Sequence, residues 1–161
     1  MAGNTYYCHE VRAMTMIIVG VDGSEQSRRA LVWAVKHAIA RSAAVQAITA
    51  VDTKNLGTAQ RAARLAEAET MLAEMVTQVL DSCTRPPTVT YEVVEGDPSI
   101  VMVDASQRAD LIVFGSHRMT SIRQTALGTV STACIRLGGC PVLVIPVDLP
   151  EPMLCGDLVP A

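Results

Sequence analysis

Met16-Ile17-Ile18-Val19-Gly20-Val21, running straight into Asp22-Gly23-Ser24, is the stretch on which the architecture turns. An apolar run with no polar alternation reads as a strand covered on both faces, as in a parallel sheet. Asp22-Gly23-Ser24 then reads as a turn followed by a helix cap, because the Ser24 hydroxyl can accept from the orphan amides of a following first turn. The helix so begun extends to about Arg41 and carries Ala30, Leu31, Ala34, Val35, Ala38 and Ile39 on one face.

The same alternation continues along the chain. Ala44–Val51 reads as a second strand, and the polar stretch Asp52–Thr58 leads into a helix from about Ala59 to Cys83. Its apolar stripe is Leu65, Leu72, Val76 and Val79, with Ala66, Met75 and Leu80 beside it, and it stops ahead of Pro86-Pro87. Thr88–Val94 is a third strand. Gly96-Asp97-Pro98 supplies a turn, an N-cap and a proline at the first helical position of Pro98–Gln107. Leu111–Phe114 is a fourth buried strand ending at Gly115, and Ser116–Gly128 is a long polar loop. A short helix, about Thr129–Leu137, stops at Gly138-Gly139, and Val142–Val147 is the last strand. The expected fold is α/β: one doubly wound sheet of five parallel strands with four helices over residues 16–147. Residues 1–15 read as a flexible N-terminal extension and 148–161 as a C-terminal tail.

Composition narrows the function. Half of the 161 residues are apolar and 18% are charged, which suits a packed core. One Trp, one Phe and three Tyr leave no aromatic platform for stacking nucleic-acid bases, and a net charge of −3 argues against a phosphate-tracking surface. The apolar stretches near 14–21 and 43–51 are far short of the roughly 20 residues a bilayer needs. The run after Arg12 meets Asp22 without a cleavage pattern, so the chain is expected to be cytoplasmic, with no membrane partner. Cys8, Cys83, Cys134, Cys140 and Cys155 are odd in number and contain no CxxC pair, which supports neither a disulfide framework nor a zinc site. Cys134 and Cys140 read as small buried hydrophobes.

Ligands of doubly wound sheets sit outside the carboxyl ends of the strands, at the point where strand order reverses. That rule selects Val21–Ser24, Ala50–Asp52 and Gly115–Thr129. Neither GxGxxG nor GxxxxGK[ST] is present. What remains is Gly115-Ser116-His117 and, opening a helix, Gly128-Thr129-Val130-Ser131. The free amides of a helix start suit a phosphate, although Gly128-Thr129 could equally do no more than cap the helix.

Six ordered pieces then carry a resemblance: VGVDGSEQS at Val19–Ser27, ITAVD at Ile48–Asp52, EGDP at Glu95–Pro98, ADLIVFGSH at Ala109–His117, LGTVS at Leu127–Ser131 and CPVLVIP at Cys140–Pro146. Over Met16–Val147 the chain resembles the universal stress proteins. The resemblance implies a five-stranded parallel sheet, a homodimer through the Val142–Val147 strand and, as in many members, binding of ATP or AMP. Nucleotide-binding members share a pattern G-x2-G-x9-G-[ST]. Gly115, Gly128 and Thr129 match it, whereas Arg118 stands at the second glycine. Arg118 would either block the ligand's approach or reach over its phosphates, and Arg123 on the same loop would be placed to do likewise.

As the resemblance implies, Gly20 and Val21 would border the base and the Ala50 main chain would pair with the adenine edge. Asp22 would lie near ribose and phosphates, directly or through Mg²⁺. Gly115, Ser116 and His117, with Arg118 and Met119 next in the loop, would line the ribose and phosphates. Thr129, Val130 and Ser131 would hold the phosphate chain. His117 has no evident nucleophile or orienting acid in sequence and reads as a contact, not a base; His9 and His37 read as tail and helix-surface residues. The expected function is a non-catalytic adenine-nucleotide-binding dimer acting in a stress response. The alternatives are a partner-binding dimer whose pocket Arg118 blocks, and a very slow ATP hydrolase.

Overall fold

The computed structural model describes residues 15–116 and 127–147. The strands are β1 (Met16–Gly20), β2 (Ala44–Val51), β3 (Val89–Glu95), β4 (Leu111–Gly115) and β5 (Val142–Ile145); the helices are α1 (Glu25–Arg41), α2 (Thr58–Asp81), α3 (Pro98–Ser106) and α4 (Thr129–Leu137). All strand pairs are parallel, in the order β3-β2-β1-β4-β5. The α/β architecture read from the sequence is therefore the observed one. Its last strand is shorter than expected: pairing with β4 ends at Gly115↔Ile145. Of the expected tails at 1–15 and 148–161, all but Thr15 lie outside the described residues, and the Thr15 carbonyl accepts the Ala44 amide at 3.0 Å.

Pleating distributes the apolar runs to two cores. Ile17 and Val19 of β1, Val45 and Ala47 of β2, and Leu111 and Val113 of β4 pack under α1 and α2. Ile18, Ile48, Ile112 and Phe114 face the other way, against Met102 and Ala105 of α3 and Cys134 of α4. Two covered faces explain why β1 and β4 show no polar alternation. The stripe of α2 is buried at Ala68, Leu72, Val76 and Val79, while Ala66 is exposed and the first turns of the helix stand clear of the core. Burial pushes the Cys134 thiol up to about 11, with Cys140 adding to the effect, so Cys134 behaves as a small core residue. His37 is more than a surface residue: its ring stacks on Trp33 with centroids 4.6 Å apart. No described helix is long and apolar enough to cross a membrane.

Helix starts follow their caps. Ser24 Oγ accepts the Ser27 amide at 3.1 Å, and Asp97 Oδ1 accepts those of Ser99 and Ile100 at 2.9 and 3.2 Å. Replacing Asp97 by Ala leaves both α3 donors to water, and we expect urea unfolding to show a loss of about 1 kcal/mol. An unchanged midpoint would mean that the cap is idle.

Candidate functional site

Strand order reverses between β1 and β4: from β1 the chain moves outward through β2 and β3, then returns to the other side of β1 for β4 and β5. The loops after β1 and β4 consequently diverge, and a crevice opens outside their carboxyl ends. A cavity of about 330 Å³ lies there. It gathers Gly20, Val21, Asp22, Ala50, Gly115, Gly128, Thr129, Val130 and Ser131, nine of the residues singled out from the sequence. Ser116 stands beside it, buried, with its amide committed to the Ile145 carbonyl at 2.9 Å. His117, Arg118, Met119 and Arg123 lie outside the described residues.

One wall of the crevice is backbone. The bonds Ala44 N to Thr15 O and Val21 N to Ile48 O fix the parity of the β1–β2 ladder: even-numbered β2 residues turn their amides and carbonyls toward β1. The last β1–β2 pair is Gly20↔Ile48, so the N–H and C=O of Ala50 point toward β1 one step beyond its end. The Val21 carbonyl that would meet the Ala50 amide accepts the Thr49 hydroxyl instead, at 2.9 Å. Ala50 thus presents an adjacent donor and acceptor to the crevice, a pair that matches the edge of a planar heterocycle.

The floor is apolar. Ile48, Met102, Phe114, Val130 and Pro98 line it. Sequence reasoning missed Phe114, Met102 and Pro98. The pleat of β4 carried the first of these, since Phe114 must face opposite to Val113; the last two come from α3. Gly20 owes its identity to this floor: a Cβ there would come within 2.6 Å of Phe114 Cε1. Ser24 belongs to the selected Val21–Ser24 segment, whereas Ser27, in the first turn of α1, was missed. The Ser27 hydroxyl donates to the Ser24 carbonyl at 2.9 Å and accepts the Asp22 amide at 3.3 Å.

The opposite rim is the start of α4. Its N-cap is Gly128, which has no side chain to cap with, unlike Ser24 and Asp97 at the starts of α1 and α3. The amides of Thr129, Val130 and Ser131 begin the helix without intrahelical acceptors, and the Ser131 hydroxyl turns back to donate to the Gly128 carbonyl at 3.0 Å. Among the described lining residues only Asp22 carries a formal charge. Its Oδ1 accepts the Ser24 amide at 2.9 Å and the Ser24 hydroxyl. One carboxylate can give a divalent cation a single protein anchor, so Mg²⁺ would have to arrive with a ligand's own phosphates.

Comparison with known proteins agrees with this fold. The family model described as Universal stress protein family matches residues 14–146. Universal stress protein Rv2028c of Mycobacterium tuberculosis (strain ATCC 25618 / H37Rv) is 29% identical over 132 residues, covering 80% of this chain and 47% of that protein. The chain thus spans about half the length of the curated relatives it matches. Among solved structures, universal stress protein UspA from Lactobacillus plantarum aligns with a TM-score of 0.70 at 26% identity, covering 82% of this chain and 97% of that one. A universal stress protein solved in complex with cAMP aligns with a TM-score of 0.66 at 26% identity, covering 83% and 98%.

Proposed function

The chain belongs to the universal stress protein family, and from that premise we propose that it binds an adenine nucleotide in the β1/β4 crevice and works as a non-catalytic, dimeric stress-response module in the cytoplasm. The observation that carries this reading is the convergence of three complementary parts on one cavity: the donor–acceptor edge of Ala50, the apolar floor around Phe114 and the uncapped start of α4. A heterocyclic base needs the first two, one for its edge and one for its faces, and a phosphate needs the third. The relative solved in complex with cAMP, at 26% identity, supports the same class of ligand. AMP, cAMP and ATP all fit the reading, with Mg²⁺ accompanying ATP and Asp22 as its protein anchor.

The reading is non-catalytic because phosphoryl transfer needs charge neutralisation together with a positioned water, and the sequence offers no evident dedicated base. The dimer is proposed along β5, an edge strand with half-buried apolar residues, beside which α4 exposes Ile135 and Leu137.

Calorimetric titration with AMP, cAMP and ATP, with and without Mg²⁺, tests the binding. At about 100 times Kd, ligand should stabilise the fold by about 2.7 kcal/mol, a rise in Tm of roughly 5 °C or more. No heat and no shift at millimolar ligand rejects the proposal. Binding that appears only in Arg118→Gly would instead favour the dimer whose pocket the arginine blocks.

A further inference from the structure

Beyond Ile48, β2 has lost its β1 neighbour, yet this is the segment that carries Ala50. On its other side the ladder to β3 runs on through Ala50↔Val94 and Val51↔Glu95, and two ties extend it. The Gly96 amide donates to the Val51 carbonyl at 2.9 Å. The second tie is a side chain, Glu95 at the end of β3. Its Oε1 accepts the hydroxyl of Thr53, a buried residue two positions past the strand, and its Oε2 accepts from Arg61 Nη2 at 2.5 Å. Arg61 lies in the first turn of α2. One carboxylate therefore bridges the β2–α2 loop and the helix that follows it. Arg61 and Thr53 hold that carboxyl below the usual carboxylate range, so it is an anion at neutral pH. The loop is otherwise closed by short local bonds, Asp52 Oδ1 accepting the Lys54 amide and the Thr53 carbonyl accepting the Leu56 amide, each at 3.0 Å.

We propose that Glu95 is a positioning residue for base recognition: by clasping Thr53 and Arg61 it steadies the carboxyl end of β2 where β1 no longer flanks it, and with it the direction of the Ala50 amide and carbonyl. The role rests on the nucleotide reading above. It also gives the EGDP segment a shared purpose. Glu95 holds the β2 rim, Gly96 ties it to β3, Asp97 caps α3, and Pro98 lines the cavity floor.

The test compares the full chain with Glu95→Gln and Arg61→Ala. Glutamine matches glutamate in shape but carries no charge, so the charge-assisted bond from Arg61 is lost and the clasp is weakened. Binding of AMP and of inosine monophosphate is measured by calorimetry. Hypoxanthine reverses the donor and acceptor at the edge that Ala50 would read, so the ratio of the two affinities reports the aim of that edge. Wild type should favour AMP by about tenfold or more. In Glu95→Gln, AMP affinity should fall about fivefold and the ratio should shrink toward about twofold, with Arg61→Ala in between. Amide exchange at 53–56, measured without ligand, should quicken about tenfold in Glu95→Gln. An unchanged ratio overturns the positioning role, whether or not both affinities fall, and unchanged exchange overturns the clasp itself. If wild type binds neither nucleotide, the nucleotide reading fails and the recognition role falls with it, while the exchange measurement still decides whether the clasp holds the loop.

Discussion

Replacing Gly115 by alanine should lower Tm by roughly 10 °C, corresponding to a loss of about 3 kcal/mol, and should abolish nucleotide binding as well. The sequence suggests that this glycine serves a ligand, since it stands first in the glycine pattern. The structure gives it a different duty. A Cβ on Gly115 would come within 2.8 Å of Gln26 Cβ and closer still to the Gln26 carbonyl. Gln26 lies in the first turn of α1, next to the Ser24 cap, and its main chain cannot swing aside as the end of a long side chain can. The helix start must therefore lift away from β4. That strains the packing of α1 on Leu111 and Val113 and carries Asp22, Ser24 and Ser27 away from the crevice they line.

Thermal unfolding by circular dichroism gives the answer, and a drop of less than about 2 °C would show that α1 yields freely. A further consequence concerns the family pattern. A glycine required by helix packing is required whether or not a ligand is bound, so its presence in a sequence says more about the fold than about nucleotide binding.

That distinction explains what was legible in the chain and what was not. The runs at Met16–Gly20 and Leu111–Phe114 identified interior strands because both of their faces are covered, a condition that leaves its mark within a few consecutive residues. The caps Ser24 and Asp97 were legible for the same reason: donor and acceptor lie two or three positions apart. The carboxyl-end rule then brought Asp22, Ala50, Gly115, Gly128 and Thr129 to one place without any knowledge of distances.

Contacts across the sheet were not legible. Met102 and Phe114 meet because α3 crosses the sheet on the face to which even-numbered β4 residues point, and no local pattern states where α3 crosses. The Glu95–Arg61 pair joins the start of α2 to the end of β3, 34 positions apart. The stacking of His37 on Trp33 needed only the four-residue spacing along α1, which an inventory of candidate ligands passes over.

Val144→Pro should convert the proposed dimer into a folded monomer, raising the dimer dissociation constant by about 100-fold or more. Ladder parity selects this position. The Ile112 amide donates to the Pro141 carbonyl at 3.1 Å and the Ser116 amide to the Ile145 carbonyl at 2.9 Å, so odd-numbered β5 residues bond inward to β4. Val142 and Val144 consequently turn their amides and carbonyls outward, along the open edge of the sheet. Proline at 144 deletes an outward donor and leaves every bond to β4 in place, which is the kind of edge position that tolerates proline. Proline at Leu143 would delete an inward donor and should cost about 3 kcal/mol of fold stability, confounding assembly with unfolding. Sedimentation velocity across a concentration series, with circular dichroism to confirm folding, separates the two variants. If Val144→Pro still sediments as the dimer, the seam does not run along β5. The exposed Ile135 and Leu137 of α4 then become the next apolar surface to test, because they flank the same edge without depending on strand pairing.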